Sequence, residues 1–264
     1  MTNINSPIWI VTDIDGTLMD HHYDLSFALD TLELLKNKKI PVIPCTSKTA
    51  TEVRSLRKDI GLKDPFIVEN GGAIYGDCKE SSEEWKLILG KSFQYLRPKL
   101  DLIAKEIGYP LKALNDLSNK QIEELTGLKN DAISNAIKRE WSVPFLNPKE
   151  EDREKLREIS LKYETTIYQG NRMSHLLGKG SHKGKAVMEL KNYLGQSNVK
   201  IIALGDSQND IPLLKVADRA VVVPGPNGPN PCFSKGISNG DYYLAPYPHS
   251  KGWSSAVREL INSF

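Results

Sequence analysis

Short runs of apolar and β-branched residues alternate along the chain with stretches whose apolar positions recur at helical spacing, the pattern that builds an α/β sheet of parallel strands. Ile8-Trp9-Ile10-Val11-Thr12 reads as a buried strand, and Leu25, Leu29, Leu32 and Leu35 then share one face of a helix. Residues 40–45 give the second strand. Residues 49–60 place Val53, Leu56 and Ile60 on one stripe with Gly61 as the stop, and Phe66-Ile67-Val68 follows as a third strand. The order is βαβαβ.

After Asn70-Gly71-Gly72 the pattern changes, with Ala73–Tyr75 and Trp85–Leu89 as short strands. A second domain is expected here. It holds a helix ending near Ile107, with Pro98 in its first turn or at a kink, and another opened by Ser118, whose Gln121 completes a capping box. Residues 130–140 continue helical, 143–146 are strand-like, and Asn147-Pro148 opens a charged helix over 149–162. Residues 165–169 and 172–177 flank Gly170-Asn171 as a hairpin. Gly178-Lys179-Gly180-Ser181 is a flexible return, after which helix 183–194, strand 200–204, helix 210–216 and strand 219–223 resume the first pattern. Residues 224–231 hold Pro, Gly and Asn alone, and Trp253, Val257, Leu260 and Ile261 mark a closing helix. The expected organisation is a discontinuous α/β core (1–82 and 179–264) with an α+β insert (83–178).

A chain of 264 residues can bury a core without disulfides or a structural metal. Its 35 basic and 33 acidic side chains leave a net charge of +2 with both signs interspersed, which argues against a nucleic-acid polymer as ligand. Cys45, Cys78 and Cys232 lie far apart and outside any zinc-finger spacing, so they read as free thiols of a reducing compartment. No apolar run approaches the length that spans a bilayer, and no secretory signal is visible, so the expected location is the cytoplasm.

Asp13-Ile14-Asp15-Gly16-Thr17 falls where the first strand ends, the edge at which open α/β sheets bind ligands. Turn chemistry alone favours Asp and Gly there. Cys45-Thr46-Ser47-Lys48 closes the second strand and offers hydroxyls and amides at a helix start, a place for phosphate as well as for a simple N-cap. Lys183 opens the helix after the insert, where an ammonium could reach a phosphate oxygen. The acidic loop Gly205-Asp206-Ser207-Gln208-Asn209-Asp210 follows another strand. Taken together, carboxylates, hydroxyls, a Lys and a second acidic loop at strand ends are what Mg²⁺-assisted phosphoryl transfer requires.

These four segments, in this order, resemble the four motifs of the haloacid dehalogenase-like phosphatases. The resemblance implies a Rossmann-like core with a cap inserted between the second and third motifs. It implies Asp13 as nucleophile, Asp15 as general acid and base, and Thr46, Ser47 and Lys183 as phosphate-holding residues. Mg²⁺ would be held by Asp13, the Asp15 backbone carbonyl and Asp206, with Asp210 behind them or as an occasional direct ligand. The segments 136–145, Glu69-Asn70-Gly71-Gly72, Gln169-Gly170-Asn171-Arg172 with His175, and 248–253 resemble the mannosyl-3-phosphoglycerate phosphatase family in particular. Met173-Ser174, where that family usually has aromatics, and Gln208, where Pro is common, depart from its pattern.

The implied substrate is a small phosphorylated sugar-glycerate, most readily mannosyl-3-phosphoglycerate. It carries a carboxylate beside its phosphate, and a planar guanidinium suits that group, so Arg139 or Arg172 is the expected clamp, with His175 nearby. The glucosyl compound, another sugar phosphate such as a sucrose-phosphate-like ester, a phosphosugar mutase and a non-catalytic sugar-phosphate binder are the alternatives. Judged singly, Arg139 and Glu140 also read as a solvated charge pair at a helix end and His175 as a hydrogen-bonded strand residue.

Overall fold

The computed structural model describes residues 7–78 and 83–263. The chain opens with β1 (Ile8–Thr12), α1 (Leu29–Asn37), β2 (Val42–Pro44), α2 (Ala50–Ile60), β3 (Phe66–Val68), β4 (Ala73–Asp77) and β5 (Glu84–Ile88). There follow α3 (Phe93–Ile107), α4 (Asn119–Thr126), α5 (Asp131–Ala136), β6 (Val143–Leu146), α6 (Arg153–Lys162), β7 (Thr165–Gln169) and β8 (Met173–Gly178). The chain ends with α7 (Lys183–Tyr193), β9 (Lys200–Gly205), α8 (Ile211–Leu214), β10 (Arg219–Val222), α9 (Ser234–Ser238), β11 (Tyr243–Leu244) and α10 (His249–Leu260).

The central sheet is parallel, in the order β11-β10-β9-β1-β2. Its two-residue side-chain period sorts the core into two layers. Trp9, Val11, Ile201 and Ala203 pack with Ala186, Val187 and Leu190 of α7 on one face. Ile8, Ile10, Ile202 and Leu204 pack with Leu32 and Leu35 of α1 and Trp253 and Val257 of α10 on the other. Helices on both faces make this the expected Rossmann-like α/β core. In the insert, α3 and α6 cover the antiparallel sheet β6-β8-β7, burying Leu100, Ile103, Phe145, Leu156 and Leu176.

Several elements differ from expectation, each for a local reason. β3 pairs antiparallel with β4 and meets β2 through the single bridge Cys45↔Ile67. The amide of Cys45 points to β1 and that of Thr46 to β3, so the missing N–H of Pro44 removes a donor on the β3 side. Leu29 is half-exposed because a 3-10 turn, Ser26–Ala28, rotates it off the face kept by Leu32 and Leu35. α3 starts at Phe93 under a Ser92 cap, which puts Pro98 in its second turn. The helix expected over 130–140 stops at Ala136, since Arg139 Nε donates to the Ala136 carbonyl and the Glu140 and Trp141 amides turn to the Glu69 carboxylate. The charged helix 149–162 and the helix 210–216 each begin as a 3-10 turn. The Gly170 amide bonds the Met173 carbonyl, so Asn171 and Arg172, not Gly170 and Asn171, form the hairpin tip. α9 and β11 were not expected from the sequence.

The domain boundary expected at 82/83 abuts residues 79–82, which lie outside the described residues. β5, beyond it, hydrogen-bonds β4 along its length, and Trp85, Leu87 and Leu89 pack on the core cluster. We therefore place the start of the insert after Gly90. Among the described residues no helix is long and apolar enough to cross a membrane, and all three cysteines are free.

Candidate active site

The strand ends of β1, β2 and β9 converge with the start of α7. Asp13 directly follows β1, and its amide bonds the Leu204 carbonyl across to β9. Asp206 follows β9. Lys183, the first residue of α7, is fully buried and donates to Asp13 Oδ1 at 2.7 Å and Asp210 Oδ1 at 2.6 Å. Asp210 accepts from the Asp206 and Ser207 amides through its other oxygen, each at 3.0 Å, and so shapes the loop that presents Asp206. The Asp206 carboxylate itself accepts from Thr17 Oγ1 at 3.0 Å and from Asn171 Nδ2 at 2.6 Å. Gly16 is required where these elements meet, because its φ is +85° and a Cβ there would lie 2.5 Å from Asp206 Oδ2.

Electrostatics make this cluster strained as it stands. Asp13, Asp206 and Asp210 carry ligand oxygens within 4.8 Å of one another, all buried. Burial, then Asp210, raises the Asp13 carboxyl to about 7 against the opposing pull of Lys183. Burial, Asp13 and Asp210 raise Asp206 well above the usual carboxylate range. Burial alone would lower Lys183, but Asp13 and Asp210 outweigh it and hold the ammonium charged. Three carboxylates around one ammonium leave an excess of negative charge in a dry site, which is the setting a divalent cation with oxygen ligands fits. Asp210 spends one oxygen on the Lys183 ammonium and the other on the Asp206 and Ser207 amides, whereas Asp206 is held only by a hydroxyl and a side-chain amide.

Above the cluster lies a pocket of about 110 Å³ shared by core and insert. Asp13, Asp15, Ser47 and Lys48 line it from the core, and Arg139, Arg172 and His175 from the insert. Thr46 and Lys183 sit fully buried and are not among the lining residues. Asp15 is held by Lys48 Nζ at 2.9 Å, and its Oδ1 is buried with no hydrogen-bond partner, an acceptor left for a bound group. Asp15 and Glu52 outweigh burial to keep Lys48 charged. Thr49, not Thr46 or Ser47, caps α2, in a capping box with Glu52.

Both arginines tie the insert to the core. Arg139 donates through Nη1 to the Ser47 carbonyl at 2.6 Å, while its Nη2 lies 3.9 Å from Glu52. Arg172 bonds the Thr126 and His21 carbonyls and the Tyr23 hydroxyl. Burial, with Arg139 and Lys183, pushes His175 down to about 3, and its Nδ1 has no partner. Sequence reasoning missed Thr17, Lys48 and Asn171, although each lies inside a motif it had singled out. It also missed Glu69, whose buried carboxylate accepts from the Glu140 and Trp141 amides and the Ser142 hydroxyl at 2.6 to 3.1 Å. Glu69 and Asn70 both take left-handed φ values, +47° and +58°, and a Cβ on Gly72 would lie 2.3 Å from that of Trp141. This turn is thus a strained contact between the two domains.

Residues 6–256 match the family described as sucrose-6F-phosphate phosphohydrolase. The chain belongs to that haloacid dehalogenase-like family. Two relatives called glucosyl-3-phosphoglycerate/mannosyl-3-phosphoglycerate phosphatase are similar over nearly their whole length. That of Persephonella marina is 33% identical, covering 96% of this chain and 97% of the relative. That of Methanococcoides burtonii is 34% identical, covering 96% of each. A solved sugar phosphatase of haloacid dehalogenase subclass IIB superposes with a TM-score of 0.69 at 18% identity, covering 96% of this chain and 98% of that one, which shows the shared fold. Like the two relatives named as phosphatases, the protein is a phosphoric monoester hydrolase.

Proposed function

We propose that the protein is a Mg²⁺-dependent phosphatase of glucosyl- or mannosyl-3-phosphoglycerate, releasing the glycosylglycerate and inorganic phosphate. The observation that carries this reading is the pocket's composition. Asp13 and Asp15 form its floor, and Lys48 and Arg139 give it a cationic wall that suits a second anionic group beside the phosphate. The full-length similarity to two phosphatases named for these substrates supports it.

In this mechanism Asp13 attacks phosphorus in line, forming an aspartyl phosphate as the bond to the glycerate oxygen breaks. Asp15, steadied by Lys48 and with Oδ1 unpartnered, protonates the departing oxygen and then takes a proton from the water that hydrolyses the intermediate. Ser47 faces the transferring phosphoryl group from the pocket wall, while Lys183, buried against Asp13, offsets its charge from beneath and Thr46 shapes the turn that carries Ser47 and Lys48. Asp13, Asp206 and the Asp15 carbonyl would hold Mg²⁺, whose charge offsets that of the phosphoryl oxygens and favours the ionised Asp13. Arg139 is the better carboxylate clamp, since Arg172 spends both terminal nitrogens on the core and on Thr126. His175 offers Nδ1 to a substrate hydroxyl.

The family description favours a second reading, a sugar phosphate without a carboxylate such as sucrose-6F-phosphate. Phosphate release from glucosyl-3-phosphoglycerate, mannosyl-3-phosphoglycerate and sucrose-6F-phosphate, with and without Mg²⁺ and against Asp13→Asn as blank, separates the two. The proposal expects the highest kcat/KM on a phosphoglycerate glycoside, lost on chelation. A preference for sucrose-6F-phosphate would replace it.

A further inference from the structure

Among the described residues, the insert hydrogen-bonds the acidic cluster through one side chain. Asn171, at the tip of the β7–β8 hairpin, places its amide nitrogen 2.6 Å from Asp206 Oδ2, while Thr17 holds Asp206 Oδ1 from the core. The neighbouring tip residue, Arg172, fastens the same hairpin to the His21 carbonyl and the Tyr23 hydroxyl. From its docked position the hairpin therefore fixes the rotation of a carboxylate that belongs to the core.

We infer that Asn171 is a positioning residue through which closure of the insert and occupancy of the metal site are coupled. The inference rests on Asp206 being a metal ligand. Asp206 lies in a crowd of like charges whose mutual repulsion favours turning its carboxylate away. Two donors hold it against that repulsion, and one of them, Asn171, is present only while the insert is docked. Hydrogen-bonded partners of metal-ligating carboxylates typically change metal affinity by about 10- to 100-fold when removed. A docked insert thus presents a better-ordered ligand than an undocked one. Linkage then works in both directions, so a cation that favours the ordered Asp206 favours the docked insert to the same degree. The amide is neutral and donates without neutralising the carboxylate, so it orders Asp206 while leaving its charge for the ion.

The test uses substrate-free protein with Mn²⁺, a cation of similar preference for oxygen ligands, followed by the electron paramagnetic resonance of the free ion. Asn171 sits exposed at a turn tip with an ordinary backbone conformation, so Asn171→Ala folds. Wild type, Asn171→Ala and Asp206→Asn are titrated, and amide exchange of residues 165–178 is measured with and without the ion. The expected result is a Kd about tenfold weaker in Asn171→Ala, with Mn²⁺ slowing exchange of the hairpin in wild type but not in that variant. An unchanged Kd in Asn171→Ala together with a large loss in Asp206→Asn overturns the coupling and leaves Asp206 as a ligand. No change in either variant removes both. A weaker Kd in Asn171→Ala without any Mn²⁺-dependent protection of the wild-type hairpin also overturns it, because reciprocity would be broken.

Discussion

His175 gives the structure a titration that stability measurements can read directly. The imidazole is buried on β8, and burial, Arg139 and Lys183 oppose its protonation, lowering it from 6.5 to about 3. Between those values the unfolded chain binds a proton that the folded protein refuses. Stability is therefore unaffected well above 6.5, falls as the pH drops through it, and stops falling below about 3. For this one group the loss is about 0.2 kcal/mol at pH 7 and about 2 kcal/mol at pH 5. Urea unfolding of wild type and His175→Gln, with chelator present, isolates it. Any constant effect of the glutamine cancels when each protein is compared with itself, and the carboxylates that titrate in the same range are common to both. Wild type should lose about 2 kcal/mol more than the variant between pH 7 and pH 5. Parallel pH profiles would refute the reasoning, since they would mean that the folded protein protonates His175 as readily as the unfolded chain does.

Lys183→Met should destabilise the protein by about 3–5 kcal/mol, the usual result of stranding a buried carboxylate without its partner, and added Mg²⁺ should restore part of the lost thermal midpoint. A midpoint within a degree or so of wild type would place Lys183 outside the cluster's charge balance. Arg139→Ala should lower kcat/KM for a phosphoglycerate glycoside about tenfold more than for p-nitrophenyl phosphate, the effect of losing roughly 1.5 kcal/mol from a charged hydrogen bond. Arg172→Ala should lower both alike, because it loosens docking of the insert. Equal losses for Arg139→Ala on the two esters would take the carboxylate out of its role.

The central sheet was legible because its signal is local. Strands buried on both faces read as continuous apolar runs, and β1 and β9 are such runs. The acidic loops were legible because Asp and Gly at strand ends stand out against them. The elements that escaped were decided by partners distant in sequence. The helix expected over 130–140 ends early because Glu69, far upstream, captures the Glu140 and Trp141 amides, and β11 consists of two residues added to the edge of β10. The hairpin tip was expected one residue early, which shifts the pairing by two, because Gly170-Asn171 and Asn171-Arg172 both contain turn-favouring residues, yet that shift is what brings Asn171 and Arg172 to the tip. Lys48 could have been singled out from its place beside Thr46 and Ser47, but its pairing with Asp15 joins the ends of two strands and leaves no trace in spacing.

The chain passes into the insert at Lys91 and out at Gly178, and these two points touch: a Cβ on Gly178 would lie 2.7 Å from Lys91 Cγ and 3.2 Å from its backbone nitrogen. Two neighbouring chain ends on an otherwise complete α/β sheet form a graft point. Residues 91–178 are one contiguous cassette, so a different module with adjacent termini could be spliced in without altering the order or register of the parallel strands. The phosphoryl-transfer chemistry would stay with the host, and recognition of the leaving group would arrive with the graft. A transplanted cassette inherits only the floor of the pocket, and it must bring its own contact to Glu69 and its own donor for Asp206.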